Sequence, residues 1–165
     1  MNKQYSREQQ VVRDGRESGI SLVLFRNVVG AALGLHASDM ECLDLLFFRG
    51  LATPSEIAKY TGLSSGATTA MLDRLEKSGL VARQPNPDDR RGTLVVIVKE
   101  RAQKIAPLFA SAWEAQNKLM TSYSDEELAI LSDYFQKSTA LFEEERVKLQ
   151  KVLAEGKFGD LKSRD

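Results

Sequence analysis

The sequence predicts a mainly α-helical protein with one small β-hairpin, and three observations carry that prediction. Apolar residues recur every three to four positions through most of the 165 residues, the pattern of helices that bury one face. Helix-start signals, a Ser or Thr followed three residues later by Glu or Gln, stand at Ser6, Ser38, Thr53 and Ser124. Only between Leu80 and Val98 does the pattern change. There two short runs, the second rich in β-branched residues, flank a loop with two prolines and a closing glycine.

Taken in order, the first helix is expected over roughly 6–34, with Gly15 and Gly19 as points of bending and Gly34-Leu35 as its stop. The second, roughly 38–49, opens on Ser38-Asp39-Met40-Glu41 and ends at Gly50-Leu51. The third, roughly 54–61, has a hydroxyl cap, a proline at its first position and a glutamate three past the cap in Thr53-Pro54-Ser55-Glu56. It closes at Gly62-Leu63, a left-handed glycine followed by an apolar residue that folds back on the last turn. A fourth starts at Ser64 or Ser65 and stops at Gly79-Leu80, with Ala67, Met71 and Leu75 as its core stripe. Strands are expected at Leu80–Arg83 and Thr93–Val98, joined by the loop from Gln84 to Gly92. A fifth helix, roughly 99–121, should be kinked by Pro107, which lacks a backbone donor. The last, roughly 125–153, starts from the capping box at Ser124, and the residues after it have little to bury.

Helix, glycine turn, helix and hairpin, in that order, are the parts of a winged helix-turn-helix. Such a module usually lays its second helix in the DNA major groove, about 12 Å wide. Small hydroxyl side chains at the start of the fourth helix suit that entry. Arg90 and Arg91 in the hairpin loop read either as a solvated charged tip or as arginines reaching phosphates or a narrow minor groove. The overall charge is zero, yet residues 49–101 hold nine Lys and Arg against six Asp and Glu. Both flanking segments are mildly acidic, so positive charge gathers on the lobe proposed to meet DNA.

The long last helix carries Leu128, Leu131, Phe135, Phe142, Leu149 and Val152 as one stripe. At 1.5 Å per residue it spans ~43 Å, more than one small domain needs. The first helix adds Ile20, Leu24, Val28 and Leu35, and the fifth Ile105, Leu108, Ala112, Trp113 and Leu119. A homodimer built from the terminal helices would cover all three surfaces, whereas a monomeric bundle is the simpler alternative. The expected organisation is an N-terminal dimerisation helix (1–37), a winged helix-turn-helix lobe (38–98), C-terminal dimerisation helices (99–154) and a frayed tail (155–165).

Other functions find less support. With one cysteine, Cys42, and one histidine, His36, there is neither an internal disulfide nor a multi-cysteine metal site. Cys42 reads first as a small buried hydrophobe, with redox sensing as the sharper alternative. No glycine-rich phosphate loop, metal-ligand cluster or nucleophile–base pair stands out, so neither catalysis nor a cofactor is expected. No apolar run approaches the ~20 residues of a membrane span. MNKQYSREQQ has no secretory pattern, which suggests a cytoplasmic protein without a membrane partner.

The segments GLSSGATTAMLDRLEKSGLV (62–81) and NPDDRRGTLVVIV (86–98) resemble the MarR family of bacterial transcriptional regulators. The helix ending in Asp-Arg-Leu-Glu, the Gly-Leu-Val strand entry and the Asp-x-Arg wing carry the match, and the six-helix layout extends it over nearly the whole chain. The resemblance implies that Arg91 enters the minor groove and that Asp89 orients the wing, by pairing with Arg74. It implies phosphate contacts from Arg83 and Arg90, and base or phosphate contacts from Ser64, Ser65, Gly66, Thr68 and Thr69. Double-stranded DNA, as a pseudo-palindromic operator, would be the partner. The first two turns of the fourth helix lack the Arg, Asn or Gln that make bidentate base contacts, so shape and water would contribute to reading. Relatives often bind small aromatic or lipophilic ligands between the dimer helices and the winged lobe. The matching candidates here are Phe25, Phe47, Phe48, Leu51, Phe109 and Trp113, which at helical spacing also read as core. A winged helix serving protein interaction alone, or a redox-responsive regulator using Cys42, is the alternative.

Overall fold

The computed structural model describes residues 5–89 and 91–156. They divide into two compact units, Met1–Phe109 and Ala110–Asp165. In the first unit, α1 (Arg7–Leu33) starts from Ser6, whose hydroxyl accepts from the Gln9 amide at 3.3 Å while the Gln9 side chain accepts from Ser6 N–H at 3.1 Å. It runs unbroken through Gly15 and Gly19 and ends at Gly34, left-handed at φ 67°. Its axis then turns by 102° into α2 (Ala37–Arg49). That helix begins one residue before Ser38, because the Asp39 carboxylate reaches back to accept the His36 N–H at 2.9 Å. Gly30 lets this corner close: a Cβ there would stand 3.3 Å from the Leu35 carbonyl oxygen and 3.5 Å from Met40 Cγ.

After Gly50 comes a strand that the sequence pattern does not announce, β1 (Leu51–Ala52). Then follow α3 (Pro54–Thr61), α4 (Ser65–Lys77), β2 (Val81–Pro85) and β3 (Thr93–Ile97). The sheet is antiparallel in the order β1-β3-β2, with Leu51 opposite Val96 and Arg83 opposite Val95. β2 extends past the expected Arg83 to Pro85, which sits at the strand end, where a missing N–H does least harm. Helices and sheet enclose one apolar core of Cys42, Leu45, Leu46, Ala52, Ile57, Met71, Leu72, Leu75, Leu80, Val81 and Val95.

The expected fifth helix is two: α5 (Lys99–Ile105) and α6 (Pro107–Met120), parted at Ala106. Proline at the first position of a new helix needs no N–H, so Pro107 breaks the run and begins the next. The boundary between the two units falls within α6. In the second unit, α7 (Asp125–Ala154) is 30 residues long and opens on Ser124, which accepts from the Glu127 amide at 3.3 Å. No single helix among the described residues is long and apolar enough to cross a membrane.

Candidate nucleic-acid interface

The pair α3 and α4 is set by local chemistry at three points. The Thr53 N–H donates to the Glu56 carboxylate at 2.7 Å, and the Thr53 hydroxyl accepts from the Glu56 amide at 3.2 Å. This bonding holds the Glu56 carboxyl below its ordinary range. Gly62, at φ 73°, makes the turn, and Ser64 caps α4 by accepting from the Ala67 amide at 3.3 Å. The first turn of α4 carries no acidic residue, in contrast to α1, α2, α3, α5 and α7. An N-terminus with its amide dipoles unopposed by carboxylates favours an anion.

Ser64, Ser65, Gly66 and Thr69 are exposed on this turn and the next. Thr68 is not: it is 2% exposed and its hydroxyl donates to the Ser64 carbonyl at 2.9 Å. Its expected DNA contact is therefore corrected. The buried face of α4 runs through Thr68, Met71, Leu72 and Leu75, the i, i+3, i+4, i+7 set, and not through Ala67. Threonine's methyl lets it serve as an apolar position once the hydroxyl bonds backward along the helix. Ala67 and Ala70 take the exposed positions instead.

Two arginines lie elsewhere than expected. Arg74 does not turn to Asp89. Its Nη2 donates to Asp39 Oδ1 at 2.5 Å and its Nε to Oδ2 at 3.2 Å, joining α4 to the first turn of α2. The Asp39 side chain is wholly buried, so the bidentate pair supplies the charge that burial would otherwise leave uncompensated. Arg83, on β2, pairs with Asp73 at 2.6 Å and with Glu76, both on α4, and its N–H donates to Glu76 at 3.1 Å. It ties hairpin to helix and sets its single positive charge against two carboxylates, in place of the expected phosphate contact.

The wing loop is shaped by its own side chains. Asn86 Oδ1 accepts from Asp88 N–H at 3.0 Å and Asp89 Oδ1 from Arg91 N–H at 2.9 Å, two Asx turns in succession. The Asn86 and Gly92 backbones close the loop at 3.1 Å. A Cβ on Gly92 would come within 3.1 Å of the Asn86 side chain and 3.2 Å of the Asp89 carbonyl. Asp89 thus acts on the backbone of Arg91 itself. Arg91 is exposed, and no ion pair to it is seen among the described residues. Arg90 lies outside the described residues.

Of the aromatic residues considered for a ligand, Phe25 and Phe109 meet edge to face at 6.2 Å, and Phe47 and Phe48 at 5.6 Å. Phe47, Phe48 and Leu51 are exposed, and Trp113 belongs to the second unit. Cys42 is fully buried, and desolvation, with the nearby Asp39 charge second, pushes its thiol up to about 12. A thiol in that state has little of the thiolate that oxidant sensing requires.

Comparison with known proteins follows the same lines. The MarR family model matches residues 35–93, which span α2 through the start of β3. Over 149 residues the chain is 36% identical to the uncharacterized HTH-type transcriptional regulator YcgE of Bacillus subtilis, covering 90% of this chain and 97% of that one. Among solved structures, wild-type MarR of E. coli in its apo form matches with TM-score 0.54 and 25% identity over 83% of this chain and 98% of that one. The transcriptional regulator Tm0710 of Thermotoga maritima matches with TM-score 0.59 and 22% identity over 84% and 98%.

Proposed function

The chain belongs to the MarR family, and from that premise we propose that it is a homodimeric, sequence-specific DNA-binding transcriptional regulator, cytoplasmic and without catalytic activity. The reading assigns it to repression of nearby genes, relieved by a small aromatic or lipophilic ligand. In it α4 enters the major groove with Ser64, Ser65, Gly66 and Thr69 against bases and phosphates, while Arg91 reaches the minor groove and Arg90 a phosphate. The observation that carries the reading is the pairing of a carboxylate-free helix N-terminus on α4 with an exposed wing arginine whose backbone Asp89 holds at 2.9 Å.

Such a site works by charge and shape. Lysine and arginine contacts release counterions from DNA, so affinity must fall steeply with salt. Arg91 supplies a delocalised cation for a narrow groove, and the short side chains of α4 allow close backbone approach. The test is a mobility shift on the DNA upstream of the chain's own gene, with random DNA as competitor, at two salt concentrations. A salt-sensitive shift that survives the competitor supports the reading. Weak binding without salt dependence, on this DNA and on sequences selected from random pools, favours a winged helix whose partner is a protein.

A further inference from the structure

We propose that Asp39 is a positioning residue for DNA recognition, acting through Arg74 to hold α4 at a set angle on α2. The inference rests on the DNA-binding reading above and adds to it a role for a side chain that cannot touch DNA. Asp39 is 0% exposed, so it has no route to a phosphate. Its carboxylate joins three things at once: the His36 N–H at the corner between α1 and α2, at 2.9 Å, and the Nε and Nη2 of Arg74, at 3.2 and 2.5 Å. Two parallel bonds to a planar guanidinium fix direction as well as distance. One buried carboxylate therefore sets both where α2 starts and how α4 lies across it.

The link continues toward the N-terminal helix. Arg26 of α1 pairs with Asp44 of α2, both half-buried. Helices α1, α2 and α4 are thus joined in series by two ion pairs, with the apolar core beneath. If α1 belongs to the dimer surface, a change of angle at α2 is felt at the recognition helix, because a packed core does not absorb such a change smoothly. The Arg74 side chain is 42% exposed, and that invites the simpler reading of a phosphate contact. The two roles differ in a measurable way.

The experiment compares the parent with Asp39→Asn, Arg74→Gln and the double variant, measuring operator affinity across a salt series, dimerisation, and hydrogen exchange along α4. Asparagine keeps an acceptor for His36 N–H and so guards against simple unfolding, which thermal melts check. The expected result is a loss of affinity of about tenfold in each single variant, no further loss in the double, and an unchanged salt slope. Faster exchange of the α4 amides in the DNA-free protein should accompany it. A salt slope reduced by about one in Arg74→Gln alone would overturn the proposal, making Arg74 a phosphate contact. An Asp39→Asn variant that melts lower but binds like the parent would overturn it too, leaving the pair a matter of stability. A parent that binds no DNA removes the underlying reading, which is a different result from a parent that binds and variants that do not change.

Discussion

Gly66 sits in the second position of α4 with an ordinary helical backbone, and a Cβ added there would meet nothing within 4 Å. The fold does not need a glycine at this place, and glycine in a helix is less stable than alanine by up to ~1 kcal/mol. On the proposed reading, close approach of DNA accounts for it. Gly66→Ala should raise the melting temperature and weaken operator binding, opposite signs that few other substitutions would give. A variant that melts higher and binds like the parent would show that the space over Gly66 stays empty in the complex. Arg91→Ala, by contrast, should leave stability and dimerisation alone and reduce affinity by more than ~1 kcal/mol, measured by titration of labelled operator. Cys42 supplies a pH argument. Burial raises its folded value to about 12, above that of an ordinary thiol, so its contribution to stability is complete at neutral pH and is lost as pH rises through 12. Near neutral pH the thiol should label only as fast as the lobe opens, and mild peroxide should not change DNA binding. Rapid labelling of the folded protein would reopen the redox reading. At this scale the sequence was legible where a residue acts locally, as at Ser64 capping α4 or Gly92 closing the wing loop. It was not legible for pairs: nothing in the local pattern joins Arg74 to Asp39, 35 positions away, or distinguishes that partner from Asp89.

Among the elements, the hairpin depends on α4 for its position as well as on its own strands. Arg83 bridges β2 to Asp73 and Glu76, and its side chain is 27% exposed. Partly exposed pairs of this kind contribute at most ~1 kcal/mol, so Arg83→Gln should lower stability only slightly. Its effect on DNA binding should be larger, because two carboxylates on α4 would lose the one positive charge set against them and the wing its tether. Removing a merely structural arginine would move melting and binding together, so melting curves and affinities taken on the same variant decide between the roles. The helices themselves could be read from the sequence because their ends are chemical: hydroxyl caps at Ser6, Thr53 and Ser124 and left-handed glycines at Gly34 and Gly62. The strand β1 could not, since two residues carry no alternation and pair with β3 some 45 positions on. On α4 the expected Met71 and Leu75 are buried, but Thr68 and not Ala67 completes the face. A threonine that bonds its hydroxyl back to the helix counts as apolar, and only the packed core reveals it at Thr68.

For the whole molecule, the question is what covers the apolar surface that a single chain leaves open. In α1 only Val29 and Gly30 are buried, while Ile20, Leu24 and Val28 are 59–71% exposed. On α7, Phe135, Phe142 and Leu149 are 61%, 68% and 51% exposed and stand seven residues apart. With Leu128 preceding them and Leu131 and Val152 offset by three, they trace much of the a and d seam of paired helices, interrupted at Ser138 and Glu145. Apolar surface on this scale marks an association site, and a two-fold dimer would also present two copies of α4 to half-sites about one helical turn apart, ~34 Å. Phe142→Glu places a charge at the middle of that seam while leaving the winged core untouched. It should convert the protein to a monomer by sedimentation and abolish tight binding to a palindrome. The melting temperature of the parent should rise with protein concentration, since unfolding is then linked to dissociation, and that of Phe142→Glu should not. A parent that sediments as a monomer, with a concentration-independent melt, would refute the dimer. Recognition would then rest on one helix and one wing, too few contacts for a long palindrome and enough only for a half-site.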